Sequence, residues 1–132
     1  MIKSVHHVGI VVRDLDEAIA MYHGGLGLEV SKVTASEADG VKMAFMPAAD
    51  TLIELLQPTD ATTGVARFLE SRGEGFHHIA VEVDDIIAHL KQLEQAGAQL
   101  IDKSPRQGAE GLVAFVHPKS MKGVLVELVQ RA

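Results

Sequence analysis

The chain has 132 residues, 47% of them apolar, a size and composition suited to one globular domain with its own core. Acidic residues outnumber basic ones 18 to 12, the net charge is −6, and Lys and Arg nowhere cluster, so nucleic acid is excluded as a partner. Cysteine is absent, which removes disulfides and thiolate metal sites; no apolar run approaches the ~18 residues of a membrane span, and the start reads as a strand rather than a signal peptide, so a cytoplasmic protein with no membrane partner is expected.

Taken in chain order, His6, Val8, Ile10 and Val12 alternate onto one face of a first strand. Asp14 stands where a helix N-cap belongs, with Glu17 completing a capping box. Leu15, Ala18, Ile19 and Tyr22 form the helix's apolar stripe, and Gly24-Gly25 end it. Strands are predicted near 29–33, 41–46 and 52–56. Val65, Phe68 and Leu69 then recur at helical spacing, predicting a short linker helix at about 62–72. A fifth strand through His77 and His78 leads to a second helix, opened by Asp84-Asp85, striped by Ile86, Ile87, Leu90 and Leu93, and ended by Gly97. Strands near 99–103, 112–117 and 124–129 complete the chain. Phe76, Met43 and Met46 are expected in the core.

These elements are one unit written twice. SVHHVG (4–9) recurs as GFHHIA (75–80) at an offset of 71, which also places Asp14 on Asp85, Leu15 on Ile86, Ala44 on Phe115 and Pro47 on Pro118. Beyond that proline the offset becomes 73, matching LIELLQ (52–57) to LVELVQ (125–130), with the two extra residues in a hairpin loop at 119–123. The expected fold class is α+β: two βαβββ units, at about 4–58 and 75–130, forming a cupped mixed sheet around a metal site with helices on the outer face, all within a single domain 1–132.

Strand alternation sends the two histidines of each pair to opposite faces. His6 and His77 fall with valines and isoleucines and are expected at the edge of the core, partly exposed. His7 and His78 lie beside small residues, Gly9 and Ala80, which leave room next to each imidazole. In the last strand of each copy a single carboxylate, Glu54 or Glu127, sits in an otherwise apolar run, and a buried carboxylate needs a cation, a partner or a proton. One strand histidine or glutamate alone is ordinarily structural. Four that persist in a diverged repeat point instead to a mixed nitrogen and oxygen metal site of His7, Glu54, His78 and Glu127, leaving two positions of a six-coordinate ion open. Such a donor set suits one divalent ion: Mn²⁺, Co²⁺, Ni²⁺, Fe²⁺ or Zn²⁺.

The stretches HHVGIVVRDLDEAI, GFHHIAVEVDDI, DTLIELLQP and AFVHPKSMKGVLVELVQ resemble the vicinal oxygen chelate (glyoxalase/bleomycin resistance/dioxygenase) superfamily, and within it the methylmalonyl-CoA epimerase family, over about 5–130. That resemblance implies an isomerase that epimerises an acyl-CoA by 1,1-proton transfer through a metal-stabilised enolate, with Co²⁺ or Mn²⁺ foremost among the ions. It also implies a homodimer, the same metal quartet, and Glu127 as one catalytic base. Members carry a second glutamate early in the strand that here reads GVKMAFMP, a place that falls on Lys42 in this alignment and makes Lys42 the second catalytic candidate. Lys119 and Ser120 in the longer hairpin loop, with Arg106 in a loop after Pro105, are the candidates for holding the substrate's carboxylate or phosphate. A glyoxalase-type enzyme and a non-catalytic small-molecule binder are the alternative functions.

Overall fold

The computed structural model describes residues 1–108 and 110–132. Eight strands and three helices follow in the order β1 (Ile2–Val11), α1 (Leu15–Ile19), β2 (Lys32–Ser36), β3 (Val41–Ala48), β4 (Thr51–Pro58), α2 (Gly64–Arg72), β5 (Gly75–Val83), α3 (Ile86–Gln95), β6 (Arg106–Gln107), β7 (Gly111–Val116) and β8 (Leu125–Arg131). A wider helical turn carries α1 on through Ala20–Gly25. This is the expected α+β class, each copy of the repeat being strand, helix and three strands. Among the described residues, no helix is long and apolar enough to cross a membrane.

By backbone contacts the chain forms two compact units, one continuous (Val8–His77) and one split (Met1–His7 with His78–Ala132). Their boundaries do not fall between the copies of the repeat. They fall inside β1 and β5, each of which gives its first residues to one unit and its remainder to the other.

In the continuous unit the strand order is β2-β3-β4-β1, with β3 antiparallel to both β2 and β4. Val12, Leu15, Ala44, Met46 and Leu55 are buried together, α1 packing its stripe on one sheet face. The order in the split unit is β1-β5-β8-β7-β6, with β5 and β8 parallel and β8 antiparallel to β7. There Val83, Ile86, Leu90, Ala114 and Leu128 form the core beneath α3. A fully buried apolar side chain such as Leu15 or Ile86 contributes about 1.5–3 kcal/mol, so each helix is held chiefly by its stripe.

Both helix starts follow from the sequence. Asp14 and Asp85 are extended N-caps whose carboxylates accept from the N–H of Glu17 and Ala88. Each helix start also takes a bond from the last strand of its own copy. Gln57 Oε1 accepts from Leu15 N–H at 2.7 Å, and Gln130 Oε1 from Ile86 N–H at 2.8 Å.

Three expectations need correction. β2 starts at Lys32, three residues later than predicted. No strand forms at 99–103; Leu100 makes an isolated bridge to Val116, and the short strand is β6 at Arg106–Gln107. The Asp102 carboxylate accepts from Phe115 N–H at 2.8 Å, so a side chain occupies the place a ladder partner would take. The third correction is one of register. Ala44 pairs with Leu55 and Ala114 with Leu128, so Ala44 is matched by Ala114 and Phe45 by Phe115, one residue away from the alignment drawn on the sequence.

Candidate metal centre

Residues directly opposite across a ladder share a face, which allows every candidate to be placed. In the split unit, Ala80 is registered with Glu127, and Glu127 with Phe115. His78 and Ala80 therefore lie on the face of Glu127, while Ala114 and Leu128 point the other way, into the core under α3. On the Glu127 face Ala80, Val113 and Val129 form a small buried apolar cluster. Buried polar side chains share this face.

Three of those groups converge. His7 Nε2 lies 2.9 Å from His78 Nε2, and Glu127 Oε1 lies 3.2 Å from His7 Nε2 and 3.5 Å from His78 Nε2. All three residues are buried. The imidazoles meet edge to face, with ring centroids 5.0 Å apart, and Phe115 stands edge-on to His78 at 6.2 Å. Donors about 2.1 Å from a shared ion stand roughly 3.0 Å apart in cis-octahedral geometry and roughly 3.4 Å apart in tetrahedral geometry. The observed separations match that span, and two imidazoles with a carboxylate suit a borderline divalent ion. The residues fit the group the family implies.

A second buried carboxylate on this face, Glu82, has a different environment. Lys3 Nζ lies 3.5 Å from its Oε2 and Arg131 Nε 3.1 Å from its Oε1. Two cations already neutralise it, whereas the partners of Glu127 are imidazoles.

In the continuous unit, Glu54 is buried on β4 opposite Phe45, just as Glu127 stands opposite Phe115. The repeat thus gives both carboxylates the same place in their sheets. Lys42 is not on that side. It is registered with Gln57, three residues along from Glu54, and shares its face with Ala44 and Met46. The residues of β3 that do share the Glu54 face are Val41, Met43, Phe45 and Pro47, none of which titrates. Lys42 is therefore withdrawn as the second acid or base, because alternation along β3 turns it to the helix side.

His6 also departs from expectation. It is only 2% exposed, deeper than an edge position, and its Nδ1 lies 2.8 Å from His7 Nδ1. Burial first, then the neighbouring His7 and Arg131 charges, holds its pKa below the ordinary 6.5. His77, its counterpart in the second copy, packs edge-on against Phe68 at 4.9 Å and is partly buried, as expected. Met46 is fully buried and Met43 partly so, but Phe76 is 49% exposed and is no core residue.

The substrate candidates separate as well. Arg106, registered with Val113 on the Glu127 face, holds its guanidinium over Phe115 at 5.5 Å, with Asp102 Oδ1 3.5 Å from its Nε. It is thus in a short strand rather than a loop. Ser120 lies in the 3₁₀ turn Pro118–Met121, where its hydroxyl accepts from Gln99 N–H at 2.7 Å, a structural bond. Lys119, in the same turn, is exposed. Sequence reasoning missed the paired glutamines, Gln57 and Gln130, whose recurrence at the end of LIELLQ and LVELVQ was the available signal.

Comparison with known proteins bears on this geometry. Residues 6–116 match the model of the Glyoxalase/Bleomycin resistance protein/Dioxygenase superfamily. Ethylmalonyl-CoA/methylmalonyl-CoA epimerase of Cereibacter sphaeroides is 42% identical over 98% of this chain and 99% of its own. Among solved structures, methylmalonyl-CoA epimerase of Mycobacterium tuberculosis superposes with a TM-score of 0.90 at 35% identity, covering 99% of this chain and 89% of that one. A methylmalonyl-CoA epimerase in complex with methylmalonyl-CoA and NH4+ gives a TM-score of 0.89 at 33% identity, covering 100% and 96%.

Proposed function

This chain belongs to the glyoxalase/bleomycin resistance protein/dioxygenase superfamily and is an isomerase of the methylmalonyl-CoA epimerase kind, and on that premise we propose that it interconverts (R)- and (S)-methylmalonyl-CoA by moving the proton at C2. The observation that carries this reading is the convergence of His7, His78 and Glu127 within 3.5 Å on one sheet face. Glu54 is assigned as the fourth ligand from its matching position in the repeat. The ion we favour is Co²⁺ or Mn²⁺, although the same donors accept Ni²⁺, Zn²⁺ or Fe²⁺. When bound, the ion supplies positive charge to the thioester oxygen, on which negative charge grows as the proton leaves.

The protein's own residues do the rest. Glu127 presents a carboxylate beside two imidazoles and takes the C2 proton as general base. Epimerisation also needs a proton carrier for the opposite face of the planar intermediate. With Lys42 turned away, Glu54 is the group we assign to that role. Arg106, held over Phe115, supplies a planar two-donor partner for the substrate's free carboxylate or its phosphates, and Lys119 is a further contact for the phosphates. A single functional domain over 1–132, a homodimer and a cytoplasmic location belong to the same proposal; sedimentation velocity tests the dimer.

The deciding experiment follows hydrogen–deuterium exchange and inversion at C2 of methylmalonyl-CoA in ²H₂O, with the chain stripped of metal and then supplied with Co²⁺. Ion-dependent exchange and inversion are expected. Absence of exchange, with turnover of a glutathione hemithioacetal instead, would assign the chain to glyoxalase chemistry.

A further inference from the structure

His6 has no part in the reaction described above, yet it is nearly sealed from solvent and its ring touches that of His7. The contact is polar: the two Nδ1 atoms are 2.8 Å apart. A neutral imidazole has one nitrogen that donates and one that accepts, so across two facing nitrogens a single proton is shared and one ring must accept it. On its other side, His7 directs Nε2 at His78 and Glu127. A nitrogen that gives its lone pair to a cation carries no proton, which places the proton of His7 on Nδ1, facing His6.

We propose that His6 is a positioning residue: its Nδ1 accepts the Nδ1–H of His7, fixing the His7 tautomer and ring orientation so that the Nε2 lone pair faces the metal centre. His6 then carries its own proton on Nε2. The inference rests on the reading of His7 as a ligand and adds to it a partner on the adjacent residue of the same strand. Burial makes the arrangement durable, because water has little access to replace an acceptor that is 2% exposed. Partners of this outer kind typically govern metal affinity by roughly 10- to 100-fold.

The test uses the full chain labelled with ¹⁵N in histidine and loaded with Zn²⁺, which is diamagnetic. Long-range ¹H–¹⁵N spectra are expected to show the proton of His7 on Nδ1 and that of His6 on Nε2. A proton on His6 Nδ1 in the loaded protein overturns the proposal. Zn²⁺ affinity, measured by competition with a chelator, should fall roughly 10- to 100-fold in His6→Phe and by less than about threefold in His6→Asn, whose carbonyl still accepts. Equal affinity in both folded variants also overturns it. Should His7→Ala retain full Zn²⁺ stoichiometry, the ligand reading itself fails, which the His6 spectra alone would not cause.

Discussion

Glu82 and Glu127 are both 8% exposed and lie on the same sheet face, but their neighbours give them different work. Lys3 and Arg131 pair with Glu82, while Glu127 faces the imidazoles of His7 and His78. Glu127→Gln should lower C2 exchange by about 10²–10⁴-fold with the fold intact, whereas Lys42→Ala should leave it within about twofold, both read by NMR in ²H₂O. His7→Ala or His78→Ala should reduce bound Co²⁺, by elemental analysis, in a chain that still folds. A pH effect follows from His6. Its folded pKa lies below 6.5, so between that value and 6.5 the unfolded chain binds a proton that the native chain does not. The metal-free protein should therefore lose stability as pH falls below about 6.5, then level off, with a smaller loss in His6→Asn; urea midpoints across that range check it. The convergence of His7, His78 and Glu127 was legible because polar residues stood out in repeated apolar strands. The depth of His6 was not, since alternation alone does not foresee that adjacent rings can meet at their Nδ1 atoms.

At the level of elements, the sequence was most informative where a local rule acts. Asp14 and Asp85 cap their helices as their spacing predicted, because a cap depends only on residues within one turn. Gln57 and Gln130 needed the tertiary structure, since each reaches a helix start more than forty residues away. Gln130→Ala and Gln57→Ala should each cost about 1 kcal/mol in urea denaturation, the ordinary worth of such a bond. The match of β3 to β7 was misread by one residue because the offset was carried over from the histidine pairs, and a one-residue slip turns every side chain to the other face. Gly111 marks where that strand begins. It has φ of +140°, and a Cβ there would collide with Gln130 O, so Gly111→Ala should lower stability by more than about 2 kcal/mol, seen as a lower urea midpoint with little change in slope.

For the whole molecule, the fold class was legible because the repeat fixes element order, while the division into compact units was not. An internal duplication invites a boundary between its copies, yet the contacts place it inside β1 and β5. Removal of metal by EDTA should abolish exchange and lower Tm, and Co²⁺ at about 100 times its Kd should restore roughly 2.7 kcal/mol, measured by thermal scans with and without ion. Met1 to His7 complete a unit whose other members begin at His78; the terminal ammonium reaches Asp84 at 2.7 Å and Lys3 reaches Glu82. On a ribosome adding roughly 5–20 residues per second, Met1 to His7 wait for several seconds until the last strands emerge. The N-terminal repeat expressed alone would keep those residues as an unclaimed strand end, a ready template for self-association. Nascent chains of this protein are thus most vulnerable at the stretch from Met1 to His7.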